Sequence, residues 1–544
     1  MPELLKKFLT GSVIGLFIGF LIGWGSNIDG FFIDSLLDGY EYRSYDSRMK
    51  AKASGSEEGM IDDIVIVDID QNSVDMLGNY HDWPHAHHGK LIDVVSSGNP
   101  SAIIFDIIFD PEITWSYDLM KETSKSISDD QMDLSQEIDR YFDVNDPLRF
   151  LISTAASDRV FHSLIFEPED SIVFKYKMDA EPEGYDYIKH ILQIPRDQAD
   201  HLPQADRLGN THIELLSNSY GVGSANFPQD VDGLTRRSPT AIYFEGPGHA
   251  YPSLTMAAAM KLLDIPDDGL NYDFEQKILI LTNRQGENVR EIPIDEKGRV
   301  YVNFFGTYKV FSYLPYAYCM DPDLLSPEYW EGKVVLVGTS LPGLMDLRNT
   351  PVQETFPGVE IHANVLYSIL NNSFVNPTSN LTNFLVIIVA CIFVGMAVSL
   401  PSKPVWSIPI PLVSIAVWII FTYDQFFSQL VMWEIIRPSL GMSATFVGMF
   451  VFNLTIAEKD KRFLKSTFGN YISPELIDQM YDDKQEPKLG GESGYHTAWF
   501  SDIQSFSSFS EVLEPEKMVR LMNEYLTEMT DILLKQKGTL DKYI

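Results

Sequence analysis

An acidic residue near the carboxyl end of the chain, Asp502, has neighbours that could let it bind a metal ion. The residues before it, Tyr495 to Phe500, are mostly aromatic, β-branched or small, which predicts a buried strand. A polar segment follows, and Pro515 begins a helical pattern that ends at Gly538. This arrangement suits a Mg²⁺-bound triphosphate, because Mg²⁺ prefers oxygen ligands and turn N–H groups hold phosphate. The alternative is that Asp502 only forms a turn or caps a helix.

The stretch around Asp502 resembles the start of a class III nucleotide cyclase catalytic domain. The residues that fit the family pattern are Phe500, Asp502, Ile503, Phe506, Ser507, Ser510 and Glu511. Ser505 replaces a glycine that is often seen in the family. The resemblance implies that the Asp502 carboxylate and the Ile503 carbonyl bind metal and that Phe506 and Ser507 bind substrate. It also implies an α/β, ferredoxin-like domain, two Mg²⁺ ions (or Mn²⁺) and a homodimer, because the family builds its sites between two catalytic domains.

Lys542 bears on the choice of substrate. In the resembled family a lysine here accompanies adenine recognition, whereas guanylate cyclases carry an acid. Lysine only donates hydrogen bonds, so it suits an acceptor such as adenine N1; the alternative is a surface lysine. In the family a second metal-binding aspartate and the transition-state residues come after the position of Ile544. We therefore expect the catalytic residues beyond Ile544, and we expect the 544-residue fragment alone to be inactive.

One part of the chain is rich in histidine. It contains His81, His85, His87 and His88, with Asp82 beside the first of them. Imidazole and carboxylate groups would suit a divalent metal such as zinc. The alternative, which we favour, is a solvated loop whose histidines are incidental.

Two further acidic positions could contact a ligand. Asp68 and Asp70 lie at the end of a predicted strand, where helix capping or turn formation is the favoured alternative. Asp232 precedes a glycine in a predicted turn, and we expect Arg236 to make a structural ion pair there rather than a ligand contact.

The composition excludes some classes of protein. A chain of 544 residues should hold more than one domain, and a formal net charge of -35 argues against binding to nucleic acid. The two cysteines, Cys319 and Cys391, lie in a polar domain and in an apolar run respectively, so we expect no disulfide between them.

Four apolar runs approach the length needed to cross a bilayer. They cover residues 8–24, 383–400, 405–423 and 435–455. Lys6, Lys7 and Lys403 predict a cytoplasmic position for the segments that contain them, as does the basic cluster that starts at Lys459. Residues 424–429 lack Lys and Arg and should lie outside. Both ends of the chain are then cytoplasmic.

Residues 25–382 form a predicted α/β domain between the first two runs. Strands with a buried, β-branched character are expected at Ile61–Asp70, Ser101–Phe109 and Gly332–Gly338, with helical segments between them. This alternation predicts a largely parallel central sheet. Residues 112–146 are acidic and Ser-rich, which is typical of an exposed insertion.

Several phrases in this domain resemble the type-two CHASE sensor, an extracytoplasmic module found in front of cyclases and kinases. They are Tyr42–Arg48, Trp83-Pro84, Phe105–Phe109, Asp230–Arg237, Tyr251–Leu254, Ile294–Gly298, Val337–Ser340, Thr350-Pro351 and Pro357–Asn364. His85 stands where the family has a basic residue.

Together these features predict a multi-domain protein of the cytoplasmic membrane. Its parts would be a cytoplasmic start (1–7), a helix (8–24), an outside sensor (25–382), three more helices, a coupling helix and linker (456–493) and the beginning of a cyclase domain (494–544). The implied activity is conversion of ATP to cyclic AMP and pyrophosphate under control of an extracytoplasmic ligand or protein. The alternatives are a guanylate cyclase and a signalling receptor with an inactive cyclase remnant.

Overall fold

A computed structural model describes most of the chain. It covers residues 3–25, 32–110, 121–122, 145–167, 177–182, 185–209, 212–341, 347–401, 404–468, 495, 497–540 and 543. The predicted insertion at 112–146, the predicted linker after residue 468 and Lys542 lie largely or wholly outside these residues. The chain divides into two compact units. We call Gly25–Asn383 with Val417–Arg437 the sheet unit, and Met1–Trp24, Phe384–Ala416 and Pro438–Ile544 the helix unit.

The described residues form helices of very different lengths. The α-helices are α1 Glu3–Gly25, α2 Phe32–Ala53, α3 Gln71–Leu77, α4 Ala86–Ser96, α5 Leu148–Ser157, α6 Arg196–Ala199, α7 Ile213–Asn218, α8 Leu254–Leu262, α9 Tyr316–Cys319, α10 Gly358–Leu370, α11 Asn380–Val398, α12 Pro409–Gln429, α13 Ile436–Phe468, α14 Phe506–Ser510 and α15 Pro515–Lys535. Short 3₁₀ helices cover Tyr80–Asp82, Pro327–Trp330 and Pro404–Ser407.

Strands occur in the sheet unit. They are β1 Ile61–Ile69, β2 Ala102–Phe105, β3 Val160–Leu164, β4 Phe166–Glu167, β5 Lys177–Met178, β6 Gln204–Ala205, β7 Arg207–Gly209, β8 Gly221–Ser224, β9 Arg237–Pro239, β10 Ala241–Phe244, β11 His249–Pro252, β12 Leu270–Asp273, β13 Ile278–Thr282, β14 Asn288–Pro293, β15 Arg299–Tyr301, β16 Phe311–Pro315, β17 Val334–Thr339, β18 Leu347–Arg348, β19 Phe356–Pro357, β20 Asn376–Pro377 and β21 Val431–Met432.

A six-stranded sheet organises the sheet unit, with the strand order β16-β1-β17-β2-β3-β8. Every neighbouring pair in it is parallel. The strands predicted at Ile61–Asp70, Ser101–Phe109 and Gly332–Gly338 correspond to β1, β2 and β17. The prediction of a largely parallel sheet is therefore confirmed.

Both faces of this sheet are covered, which is why its strands carry buried apolar side chains on both sides. Ile64 and Ile66 face a core shared with α8 and α10, while Val65 and Val67 face a second core shared with α4 and α5. All four side chains are almost completely buried. Burying each contributes about 1.5–3 kcal/mol.

Four helices among the described residues are long and apolar enough to cross a membrane. The candidate spans are Leu5–Gly25, Asn380–Val398, Val405–Gln429 and Ile436–Ile456. They match the four predicted runs, although the third continues to Gln429, so residues 424–429 are helical and not a loop. The last helix extends to Phe468, as predicted for the beginning of the coupling segment.

Glycines bring α1 and α11 into close contact inside the helix unit. A Cβ atom on Gly15 would lie 2.8 Å from Ile392 Cα, and one on Gly19 would lie 3.0 Å from Ile388 Cα. Gly11 meets Gly395 in the same way, one turn earlier. Small residues at this spacing let two helix backbones approach closely, which strengthens van der Waals packing in an apolar medium.

The predicted strand at Tyr495–Phe500 is wrong for the residues that the structure describes. Tyr495, Trp499 and Phe500 are 110%, 60% and 86% exposed, and residues 497–500 belong to no strand. A strand needs a neighbour for its backbone N–H and C=O groups. No strand pairs with these residues in the described part of the carboxyl-terminal tail, by which we mean residues 494–544. The helix predicted from Pro515 is confirmed as α15.

Candidate functional site

Asp502 lies at an exposed position of the tail. Its Oδ1 accepts a hydrogen bond from the backbone N–H of Ile503 at 2.9 Å, so the carboxylate stabilises the local bend. The carbonyl oxygen of Ile503 accepts from the N–H of Phe506 at 3.2 Å. Both predicted metal ligands are oxygen donors, and each still has a second lone pair or oxygen to offer a cation.

Phe506 and Ser507 begin α14, directly after Asp502 and Ile503. Phe506 is 41% exposed and packs edge-on against Phe509, with ring centroids 5.4 Å apart. The four predicted site residues of the tail are thus neighbours in one short segment. Among the described residues, no group of three or more His, Cys, Asp or Glu side chains could hold a metal ion.

The histidine-rich region is not the solvated loop that we favoured. His88 is buried on α4, and the Tyr316 hydroxyl and His88 Nδ1 lie 2.7 Å apart in a hydrogen bond. Aromatic rings of Phe109 and Phe150 surround it, with centroids 4.8 and 5.3 Å away. His81 is exposed on a 3₁₀ helix. The apolar periodicity of α4 was the signal that could have placed His88 in the core.

His88 belongs to a larger cluster that also contains His85, His162 and His212. The ring of His85 lies 6.0 Å from that of His212, and the ring of His162 stacks on Phe105 at 5.1 Å. Burial, together with a smaller contribution from the neighbouring His212, lowers the pKa of His85 to about 4 and that of His162 to about 3. Burial also lowers the pKa of His88. The histidines are therefore neutral, uncharged parts of the core near pH 7.

The strand-end acids have structural partners. Asp70 caps α3, because its Oδ1 accepts from the N–H and the hydroxyl of Ser73 at 2.8 and 2.7 Å. Asp68 accepts from the N–H and the hydroxyl of Ser340 at 2.8 and 2.6 Å. Burial raises the pKa of Asp68. The favoured interpretation as a helix cap is confirmed for Asp70, whereas Asp68 lies in β1 and binds a distant segment instead of capping a helix or forming a turn.

Arg236 is completely buried and makes the structural ion pair that we expected with Asp232. Its Nε and Nη2 donate to the two oxygens of Asp46, each at 2.7 Å. Its Nη1 donates to Asp232 at 2.8 Å and to Asp230 at 3.2 Å. Hydrogen bonds and charge from Arg236 hold the pKa of Asp232 below its ordinary value. A buried guanidinium with this many carboxylate partners stabilises a fixed arrangement of the segments that carry them.

A second buried pair lies where β2 ends and was not found in the sequence. Asp106 Oδ1 and His362 Nε2 are 3.4 Å apart, and both side chains are at most 7% exposed. Asp106 Oδ2 and both ring nitrogens of His362 have no hydrogen-bond partner among the described residues. The residues are far apart in sequence, so only the strand-end position of Asp106 could have pointed to them.

The contacts of α2 with the start of α13 were also not predicted from the sequence. Arg437 is 8% exposed and pairs with Asp38 and Glu434 in the sheet unit. The carboxylate of Glu41 binds the first residues of the same helix. No local motif marks Glu41, because its partners lie about 394 residues later in the chain.

The described residues form a parallel α/β domain together with helices that are long and apolar enough to cross a membrane. The sequence model of the CHASE2 domain matches residues 15–398, which is more than half of the chain. The chain therefore belongs to the CHASE2 domain family, and the resemblance seen in the sequence of the α/β domain is confirmed.

One curated relative bears on activity. A protein from Anabaena cylindrica named adenylate cyclase is 32% identical over 85 residues, which cover 15% of this chain and 16% of that protein. The chain is thus aligned with about a sixth of that relative. No solved structure matches the chain. Together with the CHASE2 domain, this match indicates a signalling receptor.

Proposed function

We propose that this chain belongs to a membrane-bound receptor adenylate cyclase, which converts ATP to cyclic AMP and pyrophosphate under control of its CHASE2 domain. The order of parts in one chain carries the proposal. A CHASE2 domain is followed by further apolar helices and then by the cyclase-like segment Phe500–Glu511. The Anabaena protein named adenylate cyclase supports the same activity.

The proposed topology places the α/β domain, residues 25–382, outside the cell and both ends of the chain in the cytoplasm. Charge supports it, because basic residues near membrane helices favour the cytoplasmic side. Lys6 and Lys7 lie at the start of α1. The basic residues Lys459, Lys461, Arg462 and Lys465 follow the apolar part of α13. An extracytoplasmic ligand or protein would then reach the sheet unit directly.

In the proposed catalytic site the Asp502 carboxylate and the Ile503 carbonyl would hold Mg²⁺, for which their oxygen atoms are suitable donors. Bound Mg²⁺ supplies Lewis-acid stabilisation of charge on the phosphates and the attacking hydroxyl. Phe506 and Ser507 would lie along the nucleotide, and Lys542 would donate to adenine N1. The described residues contribute one carboxylate, so the proposal requires a second acidic ligand and a second copy of the domain.

The decisive test is nucleotide turnover by the native full-length protein in membranes, with ATP and Mg²⁺. We expect Asp502→Ala to reduce cyclic AMP formation to background. Asp531→Ala is the matched control, because Asp531 is an exposed carboxylate on α15 of the same tail. Unchanged turnover in Asp502→Ala would remove Asp502 from the mechanism. Parallel assays with GTP distinguish a guanylate cyclase.

A second candidate is a receptor whose cyclase segment is inactive. The exposure of Trp499 and Phe500, and the lack of a strand at 497–500, favour it. This candidate predicts no nucleotide turnover by the native protein at any metal concentration, while ligand-dependent changes in the sheet unit persist.

A further inference from the structure

The segment Leu430–Ile435, which we call the connector, joins α12 to α13 and is bound by α2. The carboxylate of Glu41 accepts hydrogen bonds from three consecutive backbone N–H groups, those of Ile435, Ile436 and Arg437, at 2.9, 2.7 and 3.0 Å. Glu41 is 5% exposed. The first N–H groups of a helix have no partner within the helix, so Glu41 supplies the cap that α13 would otherwise lack.

Two more side chains of α2, those of Asp38 and Arg48, bind the first turn of α13 and the connector respectively. Asp38 Oδ1 lies 2.7 Å from Arg437 Nη2, and Arg437 Nη1 lies 3.0 Å from Glu434. Arg48, which is completely buried, donates from Nη1 to the carbonyl oxygen of Trp433 at 2.9 Å. All of these residues belong to the sheet unit. The start of α13 is thus fixed to α2 by a set of charge-assisted hydrogen bonds.

Other side chains of α2 hold the α/β domain. Asp46 binds the buried Arg236 with both carboxylate oxygens. Tyr45 donates to the carbonyl oxygen of Val302 at 3.3 Å. Lys52 donates to Asn303 Oδ1 at 2.8 Å and to the carbonyl oxygen of Phe304 at 3.0 Å. One helix of 22 residues therefore binds both the domain and the first turn of α13.

We propose that α2 transmits conformational change in the CHASE2 domain to α13, with Glu41 as the positioning residue that makes the first turn of α13 follow α2. The proposal rests on the proposed receptor function. If α2 moved and Ile436 did not, the buried Glu41 carboxylate and three backbone N–H groups would lose their hydrogen-bond partners. Such a loss costs free energy in a buried site. Moving the turn with α2 preserves every one of these bonds.

The test is a double-mutant cycle read by hydrogen exchange of the amides at 435–437, in the full chain in lipid nanodiscs. We expect Glu41→Gln to speed exchange at these amides by about tenfold or more, because a neutral amide offers one acceptor oxygen and no charge. We expect Asp46→Asn to speed it by several-fold when Glu41 is present and to add little in the Glu41→Gln background.

Asp232→Asn is the matched control. Asp232 binds the same guanidinium as Asp46 but lies outside α2. We expect it to speed exchange in the loop at 230–235 and to leave the amides at 435–437 unchanged. If Asp46→Asn does not change amide exchange at 435–437, or if Asp46→Asn and Asp232→Asn speed it equally, α2 does not transmit the change and the proposal is wrong.

Protection of the β1 amides at 65–67 reports whether each variant is folded. If Asp46→Asn loses this protection, Lys52→Gln replaces it in the cycle, with the same expected result. Exchange rates do not depend on nucleotide turnover, so failure of this proposal is distinguishable from failure of the cyclase activity.

Discussion

The sheet unit and the tail both contain aromatic and β-branched segments, but only in the sheet unit are the side chains of these segments buried. Val65 and Val67 have helices on one face of the sheet and neighbouring strands on either side. Trp499 and Phe500 have a similar character and remain exposed. The difference shows that an apolar segment becomes a strand only where other parts of the structure supply partners for its backbone and cover for its side chains.

The largest expected effect on this comparison comes from Arg236→Ala in the sheet unit. The substitution leaves Asp46 and Asp232 without their buried counter-ion, while Asp230 keeps its ion pair with Arg237, and we expect it to lower the free energy of unfolding by about 3–5 kcal/mol. Chemical denaturation followed by fluorescence measures this change. Arg284→Ala is the control, because its ion pair with Asp264 is exposed and should be worth less than about 1 kcal/mol. Equal effects would contradict the assigned role of Arg236.

Acid should weaken the sheet unit through its buried histidines. The pKa values of His85 and His162, about 4 and about 3, lie below the ordinary value of about 6.5. The unfolded chain therefore binds more protons as the pH falls below about 6.5, so stability is present above that pH and is lost below it. We expect a loss of up to about 1.4 kcal/mol per pH unit for each histidine.

Denaturation of the full chain between pH 7 and 5 measures this slope. His162→Phe should make it shallower, because Phe keeps the stacking on Phe105 and cannot bind a proton. His81→Ala should leave it unchanged, since His81 is exposed. A slope that is identical in all three proteins would show that the buried cluster does not control acid sensitivity.

A smaller effect is expected in the helix unit from Gly15→Ala. The added methyl group would meet the backbone of Cys391 and Ile392, and overpacking of this kind costs about 1–3 kcal/mol. Gly25→Ala on the same helix is the control, since a Cβ atom there meets nothing within 4 Å. Thermal unfolding in detergent compares the two. Similar midpoints for both variants would argue against close packing of α1 on α11.

The smallest effect is expected in the tail. Phe500→Ser removes an exposed ring and should change the free energy of unfolding by less than about 0.5 kcal/mol. The measurement sharpens the comparison of the two regions, because a loss above about 2 kcal/mol would mean that Phe500 is buried in the native protein, as in the strand predicted from its sequence.

The features that could be predicted depend on local patterns. The β-branched run in β1, the apolar lengths of the four candidate spans and the helix at Pro515 each follow from residues that are close in sequence. Asp70 was a predictable cap for the same reason, since Ser73 is three residues away.

The features that were missed depend on partners brought together by the fold. In the sequence, nothing distinguishes Glu41 from other charged helix residues, because its hydrogen-bond partners belong to a distant segment. His88 was assigned to a solvated loop because polar neighbours surround it in sequence, whereas Phe109 and Phe150 surround it in space. The metal and substrate roles of Asp502, Ile503, Phe506, Ser507 and Lys542 stay predictions.

The strand order of the sheet has a consequence for how the domain folds during synthesis. β17 lies between β1 and β2, yet it is the last of the six strands to leave the ribosome. β1 and β2 therefore cannot both pair with β17 until nearly the whole domain has been synthesised. Such late pairing of a central strand slows folding and leaves the facing edges of β1 and β2 unpaired until β17 is available. We expect the nascent domain to depend on chaperones, and C-terminal truncations before Val334 to be degraded.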